Sequence, residues 1–286
     1  MNKKLVVLAA LSFSFLGAQA KVKLPHILGN NMILQQNAET NLWGWDKPGT
    51  EVNVTASWSS QKWTAKTDKD GKWQVKVQTP KASYTPLSIT FDDGEPVTLS
   101  NILAGEVWVC AGQSNMEMPV KGFGNCPVEG YNKAVVEANQ YKGIHYVKIP
   151  SVMSNKPLDD ASCEWKEISP ETVGEASATG YFFAQVVNKA LDIPVGLVMA
   201  NKGGTRVESW LDRDYLKKNT KEETDSAKIV KSKKFKWDFH YPLLWGNGTF
   251  HPILNYTVKG ILFCQGCSNV GDPDGQYTQR LADLVA

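Results

Sequence analysis

The chain has 286 residues, 42% of them apolar, with 31 Lys and Arg against 29 Asp and Glu for a formal net charge of +2. Without Lys3 and Lys4, which belong to a leader, basic and acidic residues balance at 29 each. That balance excludes the strongly basic surface of a nucleic-acid or anionic-membrane binder, and the length suits two domains.

Residues 1–20 read as a secretory signal peptide. Lys3 and Lys4 form the basic start, Leu5 to Leu16 is mostly apolar, and Ala18-Gln19-Ala20 supplies the small-residue cleavage signal. The apolar stretch is too short for a stable membrane span, and no later stretch is long enough. An exported protein, periplasmic or secreted, is expected.

Residues 21–101 read as a small β-sandwich domain. Val52, Val54 and Ala56 alternate with polar neighbours, as do Trp73, Val75 and Val77, and Leu87, Ile89 and Phe91. Turn clusters at 47–49, 68–71 and 92–94 separate these runs, the punctuation of a sandwich. Trp43, Trp45, Trp58, Trp63 and Trp73 suit either core packing, the favoured reading, or a sugar-stacking face.

From Ile102 the pattern becomes α/β. Val107 to Cys110, Ile144 to Ile149, Val195 to Ala200 and Val258 to Phe263 are short apolar runs of the buried-strand type. Helical patterns lie between them at 131–139 and at Phe183, Val186, Val187, Ala190 and Leu191, whose spacing predicts the buried face of an amphipathic helix. A parallel sheet with helices on both faces is predicted for 102–286. Residues 216–236 are lysine-rich, read as a solvated helix or insertion, and are given no binding role.

Three of the strand-like runs end in small polar loops: Gly112-Gln113-Ser114-Asn115, Asn201-Lys202-Gly203-Gly204-Thr205 and Gln265-Gly266-Cys267-Ser268-Asn269. If the strands are parallel neighbours, all three loops share the rim where α/β sheets bind ligands. Taken alone, Ser114 suits an N-cap, a turn or a nucleophile. Flanked by glycines and amide side chains, it acquires the N–H donors that an ester's oxyanion needs.

The five cysteines, Cys110, Cys126, Cys163, Cys264 and Cys267, form no dense disulfide framework, and the odd number leaves at least one unpaired within the chain. Cys264-Gln265-Gly266-Cys267 has redox or zinc-knuckle spacing without a second pair, so a thiol protein is one rival reading. A glycan-binding protein that uses the sandwich tryptophans without catalysis is another.

The segments "VWVCAGQSNMEMP", "GLVMANKGGTRVESW" and "VKGILFCQGCSNV", together with "LLWGNGTFHPIL", resemble successive blocks of the sialate O-acetylesterase family in the SGNH hydrolase superfamily. The resemblance spans nearly all of the chain after residue 20, and its first block is the most specific. It implies an SGNH-type, flavodoxin-like parallel sheet, incomplete at the C-terminus, behind the N-terminal sandwich. It implies an esterase that removes O-acetyl groups from sialic acid or a related glycan through an acetyl-enzyme. Ser114 matches the nucleophile and contributes its N–H to the oxyanion hole. Gly203 matches a second donor, with Gly204 the alternative if the loop register differs, and Gln265 matches the amide position of the third block. Asn115 and His251 are substrate-binding candidates. No metal or organic cofactor is implied, and the oligomeric state is left open. Met116 breaks the G-x-S-x-G elbow, which argues against the α/β-hydrolase fold.

Two departures from the family pattern stand out. Cys267 lies where many relatives carry Glu. The family's Asp-x-His-Pro block, which supplies the catalytic histidine, is absent, so truncation and weak or no activity are expected. The chain's own histidines are His26, His145, His240 and His251, and Asp238-Phe239-His240 imitates that block out of family order.

Overall fold

The computed structural model describes residues 21–272 and 275–285, so the predicted signal peptide lies outside the described residues. The strands in chain order are β1 (Ile33–Gln35), β2 (Glu39–Trp45), β3 (Glu51–Ala56), β4 (Lys62–Lys66), β5 (Lys72–Gln78), β6 (Ser83–Asp92), β7 (Val97–Gly112), β8 (Ile144–Lys148), β9 (Trp165–Glu167), β10 (Val195–Asn201) and β11 (Gly260–Cys264). The helices are α1 (Ser114–Glu117), α2 (Tyr131–Glu137), α3 (Ala178–Leu191), α4 (Arg213–Asn219), α5 (Ser226–Lys231) and α6 (Tyr277–Val285).

The period-2 patterns before residue 100 are strands. β2 pairs antiparallel with β5, and β3 pairs antiparallel with β4 and β6. Their inward residues interlock: Leu42, Trp73, Val75 and Val77 share a core with Val52, Val54, Ile89 and Phe91, and the Trp73 and Phe91 rings lie 5.7 Å apart. Trp43 and Trp73 are buried, while Trp58 and Trp63 pack against the same core. Most of the tryptophans therefore serve packing.

β7 joins the two halves. Its first part pairs antiparallel with β6, and its last part pairs in parallel with β10 on one side and β11 on the other. Beyond β10 lie β8, also parallel, and β9, antiparallel at the edge. The strand runs unbroken through position 101, and one hydrophobic core continues from the sandwich onto a face of the α/β sheet through Val107, Val109, Val147 and Val198. The opposite face carries α2 and α3, packed through Cys110, Tyr146, Tyr181, Ala184 and Leu197. The α/β sheet with flanking helices read from the sequence is present, but it is mixed, with β9 antiparallel, and the sandwich core rather than a layer of helices covers its second face.

α3 turns a different side to the sheet from the one its apolar spacing predicts. Ala178, Gly180, Tyr181, Ala184 and Asn188 are buried, whereas Val186 and Leu191 are exposed. Close approach decides this. A Cβ on Gly180 would lie 2.7 Å from Cys110 Sγ, so the small residues face the strand. Asn188 is tolerated inside because its Nδ2 donates to Ile193 O at 2.8 Å and to the Tyr84 hydroxyl at 3.1 Å. No helix among the described residues is long and apolar enough to cross a membrane.

Candidate active site

The parallel strands β7, β10 and β11 end on one rim, and their three loops are hydrogen-bonded to one another. Gly112 ends β7 at φ +123°, where a Cβ would lie 2.1 Å from Cys264 O. Only glycine lets the two strand ends come so close. Gln113 then donates its N–H to Cys264 O at 2.8 Å, and its side-chain Oε1 accepts from Gly266 N–H at 3.0 Å. The first loop is thus pinned to the third at both backbone and side chain.

Ser114 opens α1 and is half-buried. The N–H groups of Met116 and Glu117 both donate to Gln113 O at 2.9 Å. No acceptor among the described residues takes the N–H of Ser114 or Asn115. A helix start with unpaired N–H groups is electropositive, and it stabilises a negative oxygen placed there. Asn115 is exposed, with its carbonyl held by the Thr179 hydroxyl at 2.9 Å.

The second loop lies against the first. Lys202 N–H donates to Gly112 O at 2.9 Å, and a Cβ on Gly203 would be 3.7 Å from both Cα and Cβ of Ser114. The family resemblance implies that the Gly203 N–H serves the oxyanion hole. In the structure it donates to Glu117 Oε2 at 2.6 Å. The N–H of Gly204, the alternative donor, has no acceptor among the described residues. Gly204 itself sits at φ +77° beneath the Phe239 ring, which a Cβ would approach to 2.6 Å.

Gln265 is part of the loop cluster, but it presents no amide donor to Ser114. Both N–H bonds of its Nε2 are spent, on Thr205 O at 3.0 Å and on Asn269 Oδ1 at 2.9 Å. Its Oε1 is buried without a hydrogen-bond partner, and that atom is an acceptor. The Ser268 hydroxyl completes the weave by donating to Gly204 O at 2.8 Å. Behind the loops lies a buried charge network. Glu208 accepts from Arg280 at 2.6 Å and from Asn269 Nδ2 at 3.0 Å, and it lies 3.3 Å from Arg206, which also meets Glu222 and Asp272. Asn269 Oδ1 accepts from Val207 N–H at 2.9 Å, so this network fastens the third loop to the chain just beyond the second.

The histidines lie elsewhere. His251 Nδ1 bonds to Leu158 O at 2.8 Å, and the ring lines a hollow with Trp43, Trp45 and Asp159, where the sandwich meets the 251–255 segment. No hydrogen bond among the described residues links this substrate-binding candidate to the three loops. His26 pairs with Asp160. His145 is buried, its Nδ1 held by Asn31 O, and burial lowers its pKa. His240 stands edge-on to Phe239, with ring centroids 4.8 Å apart. Burial first, and then the Arg206 guanidinium, hold its imidazole below the ordinary range. None of the four hydrogen-bonds to Ser114.

All five cysteines are free; Cys264 ends β11 and Cys267 is exposed. The residues that sequence reasoning missed are Glu117 and Phe239. Glu117 had a signal in its i+3 spacing from Ser114 on a helix, which places both on one side. Phe239 had none, because it reaches Gly204 from a distant segment.

A family model described as carbohydrate esterase, sialic acid-specific acetylesterase, matches residues 104–286. Sialate O-acetylesterase of Mus musculus is 25% identical over 302 residues, covering 90% of this chain and 54% of that protein. The Homo sapiens sialate O-acetylesterase is 26% identical over 284 residues, covering 90% and 51%. A solved carbohydrate acetylesterase from Xanthomonas citri superposes with a TM-score of 0.78 at 28% identity, over 92% of this chain and 56% of that one. The chain spans about half the length of the curated relatives it matches.

Proposed function

The chain belongs to the carbohydrate esterase family of sialic acid-specific acetylesterases, and from that membership we propose that it is a serine esterase built to release acetate from O-acetylated sialic acid or a related glycan. The observation that carries the proposal is Ser114 at the start of α1, where three loops meet and its own N–H and that of Asn115 have no acceptor among the described residues.

Ser114 Oγ attacks the acetyl carbonyl carbon. The carbonyl oxygen becomes an oxyanion at the helix start, and the serine proton passes to a base. The C–O bond to the sugar breaks, and the departing oxygen takes that proton. Water then attacks the acetyl-serine and releases acetate. Among the described residues no histidine hydrogen-bonds to Ser114, so none of them is placed as that base. Binding and the oxyanion donors alone sustain a residual acceleration of roughly 10³ to 10⁴ over water. The similarity to sialate O-acetylesterases and to a carbohydrate acetylesterase supports an acetylated sugar as substrate, and the leader-like residues 1–20 support export. N-terminal sequencing of secreted material should begin at Lys21; an intact Met1 there would overturn the export reading.

The test is acetate release from an aryl acetate and from O-acetylated N-acetylneuraminic acid by the chain and by Ser114→Ala. A rate lost in the variant is the expected result. Equal rates for the two proteins would remove Ser114 from the chemistry.

A further inference from the structure

Trp237 is 49% exposed and belongs to none of the hydrophobic clusters that hold the molecule together. Packing therefore does not account for so large an aromatic surface in water. Its ring is instead ordered by stacking on Phe239, with centroids 5.8 Å apart and planes 13° from parallel. At that separation the stack is offset, leaving part of each ring uncovered. Phe239 in turn lies over Gly204, whose neighbour Gly203 donates its N–H to Glu117 on the Ser114 helix and leaves room for a Cβ no closer than 3.7 Å to Ser114. The two rings thus form a continuous aromatic step that begins at the loop beside the nucleophile and runs outward.

The step is held in place from behind. The N–H of His240 donates to Trp237 O at 3.2 Å, Trp245 Nε1 donates to Asp238 O at 3.1 Å, and the His240 ring abuts Phe239 edge-on. The ammonium of Lys236 lies 4.9 Å over the Trp237 ring. A solvated cation on a flexible stem exchanges readily for another occupant of an aromatic face.

We propose that Trp237 and Phe239 form the platform on which the sugar ring of the acetylated substrate lies, so that its ester is presented to Ser114. The proposal rests on the esterase reading and adds its sugar subsite. A pyranose offers a face of C–H groups, which an aromatic ring covers while the hydroxyls stay in water. Small acetates without a sugar do not use the platform.

The experiment uses the 286-residue chain and the variants Trp237→Ala and Trp237→Phe. Binding of the methyl glycoside of N-acetylneuraminic acid is titrated by NMR, and Ser114-dependent acetate release is measured on ethyl acetate. Trp237→Ala should weaken sugar binding by about fivefold or more, the size of one aromatic contact. Trp237→Phe should restore most of it, and ethyl acetate turnover and the melting temperature should not change. If ethyl acetate is hydrolysed in a Ser114-dependent way but Trp237→Ala binds the sugar like the parent, or the parent shows no saturable binding, the platform alone is wrong. If Ser114→Ala has no effect on acetate release, the esterase reading falls and takes the platform with it.

Discussion

The N–H of Gly203 donates a 2.6 Å hydrogen bond to the Oε2 of Glu117, three residues after Ser114 on the same short helix. A charged acceptor makes this bond stronger than a neutral one. It couples the Ser114 helix to the second loop, so under the proposed esterase reading Glu117 is a positioning residue for the oxyanion site.

Replacing Glu117 therefore separates geometry from binding. Glu117→Ala should lower the Ser114-dependent kcat on an aryl acetate by about tenfold, the loss of one charge-assisted hydrogen bond. KM should change little, and Glu117→Gln, which keeps an acceptor oxygen, should recover most of the rate. A kcat unchanged in Glu117→Ala would show that the loop holds its place without the carboxylate.

Gly112 and Gly124 form a matched pair for testing the strand-end geometry. A Cβ at Gly112 meets Cys264 O at 2.1 Å with φ at +123°, while a Cβ at Gly124 meets nothing within 4 Å. Gly112→Ala should cost more than about 1 kcal/mol and impair folding, and Gly124→Ala should be neutral or slightly stabilising. Urea midpoints measure both, and equal midpoints would contradict the close contact between β7 and β11.

Glu208 is fully buried between Arg206 and Arg280. Glu208→Ala strands positive charge that its carboxylate balances, at a cost of about 3–5 kcal/mol. Denaturant unfolding should show that loss. A variant as stable as the parent would mean that water or the remaining carboxylates absorb the charge.

His145 imposes a pH dependence on stability. Burial lowers its pKa in the folded state, against the hydrogen bond to Asn31 O, which raises it. The unfolded chain therefore takes up the proton first as pH falls. The contribution of the neutral ring is present above about pH 6.5 and is lost on acidification below it. The urea midpoint should fall between pH 7 and pH 5.5, and His145→Gln should flatten that slope. Identical slopes would assign the effect to other groups.

Much of the fold was legible from local pattern. The alternation at Val52, Val54 and Ala56 gave β3, and the apolar run at Val195 to Ala200 gave β10, because strand periodicity is written into neighbouring residues. The α3 face departs from its apolar spacing because Gly180, Ala184 and Asn188, residues with little apolar weight, share the buried side with Tyr181, while Phe183 and Val187 of the predicted face are only partly buried. Gln265 was placed in the right loop but given a role its spent donors do not allow. His251 lines a hollow with the sandwich residues Trp43 and Trp45, contacts that no local pattern in the sequence announces.

The sequence by itself determined where the strands end and which small polar loops follow them, since those depend on backbone preference and short-range apolar spacing. Only the tertiary structure decided who bonds to whom on the rim: Gly203 with Glu117, Gln113 with Gly266, Gln265 with Thr205, Phe239 over Gly204. A donor's partner is set by distance and direction in space, and these pairs come from parts of the chain that no local pattern connects.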